Sequence, residues 1–135
     1  MTAILSSGVG RVLMGIFVIL HGLVHLWFVV LSQEWVKFEA EMGWTGESWL
    51  FTGLLGGSPP RTLASVVYVL ATGAFVIVGA GILFDASWAL SLVRGAAVFS
   101  GLMILLFWDG GPQMIVQKGL LGFLIDVGLF TASLW

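Results

Sequence analysis

Four long apolar runs separated by short polar breaks predict an all-α integral membrane protein. Its four transmembrane helices would form an up-down antiparallel bundle, with an interfacial helical loop between the first and second. Composition points the same way. The 135 residues are 59% hydrophobic and 9% charged, against about 25% charged in an average soluble domain, and the mean hydropathy is +1.11. A net charge of −2 without any basic cluster removes the electrostatic attraction that nucleic-acid binding needs. The absence of cysteine excludes disulfide exchange, thiolate metal sites and cysteine-ligated iron–sulfur clusters. The bilayer is the expected environment, and the chain reads as a single transmembrane domain over 1–135.

The first span covers about 8–31, interrupted after Arg11 only by His21 and His25. Residues 1–7 carry no basic side chain and the apolar run after them is too long for a signal-peptide core, so this helix is expected to be retained. Residues 32–61 form the only long polar stretch. There Trp35, Phe38 and Met42 recur at helical spacing opposite Glu34, Lys37 and Glu41, the pattern of a short helix lying in the headgroup layer with tryptophans as anchors. A second short apolar piece, 48–55, ends at Gly56-Gly57-Ser58-Pro59-Pro60. The second, third and fourth spans are expected at about 62–84, 87–107 and 113–134. Their connections, Asp85-Ala86 and Trp108-Asp109-Gly110-Gly111-Pro112, are short enough to force antiparallel hairpins.

Small and polar residues repeat every seven along these helices: Ser65, Thr72 and Gly79 on the second, Ser87, Arg94 and Gly101 on the third, Gly119, Asp126 and Ser133 on the fourth. Apolar side chains gain little by leaving lipid, so such stripes are what membrane helices use for close approach, and they should point inward. At 1.5 Å per residue, Arg94 lies about 9 Å into the third helix and Asp126 about 12 Å from the end of the fourth. These antiparallel helices would bring both to similar depth as an intramembrane ion pair, either a clamp between helices or part of a proton or substrate relay. Arg11 and Asp85 fall on the same side and can pair at the surface.

His21 and His25, four apart, stack on one face of the first helix. Two histidines one turn apart cannot approach opposite faces of one porphyrin, which excludes a bis-histidine haem within the chain. A metal site would want a carboxylate or a third imidazole besides, and Asp126 is expected to be engaged by Arg94, so no metal ligands are assigned. Three readings stay open: neutral histidines hydrogen-bonded within the bundle, binding of a quinone or lipid, and a metal or single-ligand tetrapyrrole site. His25 lies at a depth that makes a hydrogen bond to Tyr68 available. It is nearer the surface that carries Trp49, Trp108 and Asp109, so a ligand pocket is expected from His25, His21, Tyr68, Trp49, Trp108 and Asp109, with His21 the lesser contributor.

The segments Arg11-Val12-Leu13-Met14-Gly15 and His21-Gly22-Leu23-Val24-His25-Leu26, with the small-rich Ala71-Thr72-Gly73-Ala74-Phe75 and Gly79-Ala80-Gly81, resemble the DoxX-like family of small membrane proteins. Such proteins often carry lysine where this chain has His25. The segments 43–49 and Phe107-Trp108-Asp109 resemble an uncharacterised branch of that family. The resemblance implies a small four-helix protein, sometimes a subunit beside membrane redox enzymes that feed quinone, in a prokaryotic cell membrane. It supplies no catalytic residues, and none is assigned here.

Three functions follow as expectations. The first is a non-catalytic accessory or assembly subunit, as a homo-oligomer or within a larger membrane complex. The second is a protein that binds a small amphipathic ligand, a quinone or lipid, near His25 and Tyr68. The third is a small oligomeric transporter, for which internal repeats and broken helices are not evident. Lys37, Arg61 and Lys118 lie on the long-loop side against Arg11 and Arg94 on the other, a slim bias for a cytoplasmic long loop. The resemblance implies the opposite sense, so orientation is unassigned.

Overall fold

Four helices long and apolar enough to cross a bilayer organise the computed structural model: Gly8–Ser32, Pro60–Leu83, Ala89–Leu106 and Val116–Ser133. The structure describes residues 1–37, 39, 42–56 and 59–135, without the side chain of Pro59, and among the described residues it holds no β-strand. The shortest span has 18 residues, about 27 Å at 1.5 Å per residue, enough for the hydrocarbon core.

A short helix α1 (Thr2–Leu5) precedes α2 (Gly8–Val24), which Ser7 caps by accepting from the Gly10 amide at 3.0 Å. The first span is not one uniform helix, because it tightens at His25 before continuing as α3 (Leu26–Ser32). The His25 amide bonds to the Gly22 carbonyl at 3.1 Å rather than one residue further back, and Gly22 O also accepts from Thr72 Oγ1 at 3.0 Å. A carbonyl drawn toward a neighbouring helix is a recognised cause of such a local bend.

The long loop departs from the headgroup-helix expectation. Glu34 adopts φ 54° and residues 33–36 form turns and bends, so no helix begins there; Phe38 and Glu41 lie outside the described residues. What the loop does instead is close the end of the third span. Trp44 is buried and its indole N–H donates to the carbonyls of Glu47 and Phe107, at 3.0 and 2.9 Å. Ser48 Oγ donates to Leu106 O at 2.6 Å and Trp49 Nε1 to Leu105 O at 2.9 Å. Three successive carbonyls that a helix end leaves without partners are thereby satisfied. The expected second short helix is present as α4 (Phe51–Leu55).

Helix α5 (Pro59–Leu83) begins with two prolines, tolerated in a first turn that needs no backbone donors. It packs closely on α2: a Cβ placed on Gly15 would lie 3.0 Å from Gly79 O, and one on Gly22 would lie 2.6 Å from Phe75 Cβ. A tight turn containing Asp85 at φ 57° leads to α6 (Ala89–Leu106), and Arg11 pairs with Asp85 at 2.8 Å as expected. The fourth span starts with a π-helical turn, Val116–Leu120, broken by Gly119 at φ 109°, and continues as α7 (Leu121–Ser133). Asp109 and Lys118 close the preceding connection as a buried ion pair at 2.7 Å.

The helices pack in chain order, α2 and α3 on α5, α5 on α6 and α6 on α7, whereas α2 and α7 do not pack along their lengths. Of the seven-residue stripes, Ser65, Thr72, Gly79, Gly101, Gly119, Asp126 and Ser133 are buried, Arg94 is half-buried, and Ser87 is exposed. Two apolar cores result. One contains Val18, Phe75, Val93, Ala97 and Leu129, the other Phe28, Tyr68, Trp44, Ile104 and Phe107. Each helix places a polar side chain between its contributions to the two: His21 and His25 on the first span, Thr72 on α5, Ser100 on α6 and Asp126 on α7.

Candidate functional site

This polar layer brings together both imidazoles and the one carboxylate of the apolar spans. His21 Nε2 bonds to Asp126 Oδ1 at 2.8 Å. An ionised carboxylate only accepts, so Nε2–H is the donor and Nδ1 of the neutral ring keeps the lone pair. His25 is fixed differently. Its Nδ1–H donates to the carbonyls of His21 and Gly22, at 3.1 and 3.3 Å, which leaves Nε2 as the acceptor of the Ser100 hydroxyl at 2.7 Å. The two rings meet edge to face with centroids 5.1 Å apart, and Phe75 packs against both.

His21, His25 and Asp126 are 5%, 2% and 2% exposed. Asp126 Oδ2 has no hydrogen-bond partner among the described residues. An ionised carboxylate taken out of water pays a desolvation penalty of several kcal/mol, which is compensated only when its lone pairs are satisfied. One bond from His21 satisfies half of this group.

The expected Arg94–Asp126 pair is not formed. Arg94 donates instead to Ser133, from Nε to Oγ at 3.3 Å and from Nη2 to the backbone carbonyl at 2.6 Å. The reason is register. Asp126 Cβ lies against Gly101, 3.8 Å from where a Cβ on that glycine would sit, so Asp126 is level with a position two turns beyond Arg94. Arg94 is level with the last turn of α7, where a cation meets unpartnered carbonyls and the negative end of the helix dipole.

Beside the cluster lies a cleft of about 630 Å³ between the first and fourth spans, lined by His21 and His25 with Phe17, Leu20, Trp27 and Ile125 among its apolar walls. The other expected pocket residues are elsewhere. Tyr68 lies behind His25, ring centroids 6.1 Å apart, and both ring nitrogens of His25 are already engaged, so the expected Tyr68–His25 hydrogen bond is replaced by the bond to Ser100. Trp49 is committed to the end of α6, Trp108 Nε1 donates to Gly111 O at 3.0 Å, and Asp109 is held by Lys118, all outside the cleft. The pocket therefore lies sideways between the helices, with Met42 of the long loop in its lining. Ser100 escaped the sequence reading; its signal is that it is the single polar side chain in 96–106.

Fold and site define a small polytopic helical membrane protein with a buried imidazole–carboxylate cluster beside a lateral apolar cleft. In comparisons with protein-family models, curated proteins and solved structures, nothing matches this chain. The resemblance to DoxX-like proteins rests on the quoted motifs alone.

Proposed function

We propose that this protein binds a membrane-borne amphiphile, a quinone or a lipid, with its hydrogen-bonding headgroup at the histidine pair and its hydrocarbon body in the lateral cleft. The observation that carries this reading is the cleft itself. Its volume of about 630 Å³ falls within the roughly 300–1,000 Å³ typical of small-molecule sites, which are mostly apolar with a few placed polar groups. The rim side chains Leu20, Val24, Val116 and Leu121 are exposed and apolar, so a ligand dissolved in the bilayer can reach the cleft without crossing water. At its wall, neutral His21 offers a lone pair at Nδ1, backed by Asp126, to a headgroup hydroxyl.

A quinone-class ligand also suits the DoxX-like resemblance, through the quinone-feeding enzymes beside which such proteins sometimes sit. The accessory-subunit, oligomer and prokaryotic-membrane expectations rest on that resemblance. The exposed apolar faces are what lipid alone requires and favour no partner.

The test is extraction and mass spectrometry of molecules co-purifying with the protein from native membranes, for the wild type and for His21→Ala, His25→Ala and Ile125→Trp. A quinone or a defined lipid bound near one per chain, and lost in the cleft-filling Ile125→Trp protein, is the expected result. Retention at full occupancy in all three variants, or no specific molecule in the wild type, overturns the proposal.

A further inference from the structure

We propose that His21, His25 and Asp126 form a binding site for a divalent first-row transition-metal ion, with zinc the best-matched probe. This goes beyond the amphiphile reading and does not depend on it. One ligand atom from each of the three side chains lies within 4.8 Å of the others, a spread that side-chain rotations close to the roughly 3.3 Å ligand–ligand separation of a tetrahedral ion with bonds of about 2.0–2.2 Å. Two histidines at i and i+4 present both rings to one ion from one helix, and they need a third ligand from another element. Asp126 supplies it from α7.

Three further observations point to a cation. Asp126 Oδ2 is buried and unpartnered among the described residues, as a carboxylate awaiting a positive charge would be. The two cations of the third and fourth spans are committed elsewhere, Arg94 to Ser133 and Lys118 to Asp109. His25 already has the orientation of a metal ligand, with one ring N–H donating to backbone carbonyls and the lone pair of the other nitrogen inside the cluster. Two imidazoles and one carboxylate favour zinc, iron(II), cobalt(II) or nickel(II) over the all-oxygen preferences of calcium and magnesium and the thiolate preference of copper(I). On binding, the ion takes the place of the proton held between His21 Nε2 and Asp126 Oδ1, and the neutral ring keeps its one proton at Nδ1, so no net proton is released. Ser100 gives up His25 Nε2 and stays beside the site as a neutral oxygen.

The test uses full-length protein without a histidine tag, stripped of lipid and metal in detergent, and titrated with Zn²⁺ by calorimetry and with Co²⁺ by visible absorption. Saturation at one ion per chain and a cobalt spectrum of mixed nitrogen and oxygen coordination are expected. Ser100→Ala removes the hydroxyl that occupies His25 Nε2 and should bind at least as tightly as the wild type, while Asp126→Asn, His21→Gln and His25→Gln should each weaken binding by more than the roughly 10–100-fold typical of losing an outer hydrogen-bond partner. Arg94→Met should bind as the wild type does. Failure of the wild type to take up either ion saturably overturns the site, and so does wild-type affinity in Asp126→Asn. If Asp126→Asn does not fold, His25→Gln and the wild-type cobalt spectrum decide. Because lipid is removed first, a missing amphiphile and a missing ion are separate results.

Discussion

Gly22→Ala should loosen the contact between α2 and α5 and disturb the histidine cluster from behind. The added Cβ would start 2.6 Å from Phe75 Cβ and 3.2 Å from Thr72 O, whereas ordinary contact begins near 3.4 Å. Neither neighbour can rotate away, since one is bonded directly to a backbone carbon and the other is a backbone atom, so the helices themselves must part by most of an ångström. Overpacking of this kind costs about 1–3 kcal/mol. The Thr72 hydroxyl bond to Gly22 O, 3.0 Å in the native protein, would stretch as the helices part, losing about 0.6 kcal/mol on the scale of membrane-protein hydrogen bonds. Replacing a helical glycine by alanine returns about 0.8–1 kcal/mol of backbone propensity. The net loss is therefore about 1–3 kcal/mol. Equilibrium unfolding in mixed micelles measures it, with Gly95→Ala and Gly128→Ala as controls because nothing lies within 4 Å of a Cβ at either site. Those controls should be neutral or more stable than the wild type. A Gly22→Ala protein no less stable than both would refute the close-packing argument and the register of α2 on α5.

Further outcomes can be read with the same unfolding assay. In double-mutant cycles, His21 and Asp126 should couple within the range of about 0.5–3 kcal/mol found for residues in contact, and Arg94 and Asp126 should add to within about 0.5 kcal/mol; the reverse ranking would restore the Arg94–Asp126 pair. Removing one partner of the buried Asp109–Lys118 pair, as in Lys118→Met, should destabilise by about 3–5 kcal/mol, and the double variant Asp109→Leu with Lys118→Met should recover most of that loss. No recovery would mean that the two side chains act independently. Trp44→Phe removes the donor to Glu47 O and Phe107 O and should cost about 1–3 kcal/mol by leaving buried acceptors unmet. It should also speed amide exchange in 43–50, and unchanged exchange there would show that the indole does not hold the loop.

The amino-acid sequence by itself determined the class, the number of spans and their hairpin connections. Without water, an apolar run of bilayer length has only the helix in which to satisfy its backbone, and a two-residue link such as Asp85-Ala86 leaves only one way to turn. It also marked the inward stripes, except for Ser87, which lies exposed just before α6 begins. The π-turn at Val116–Leu120 was not legible, nor was the tightening at His25, which depends on what a neighbouring helix does to the backbone.

The partner of Asp126 was decided only by the tertiary structure. Periodicity assigns a residue to a face and an approximate depth, but which facing position it meets depends on the antiparallel register, and a slip of one heptad preserves the stripe while changing every pair in it. Here α7 ends level with Arg94, so the arginine closes that helix end and Asp126 turns to His21 across the bundle. α2 and α7 stay apart, and the cleft lies between them. Trp49, expected in the ligand pocket, is a like case: a tryptophan is equally suited to a pocket wall and to the open end of a helix, and only the positions of the α6 carbonyls chose between them.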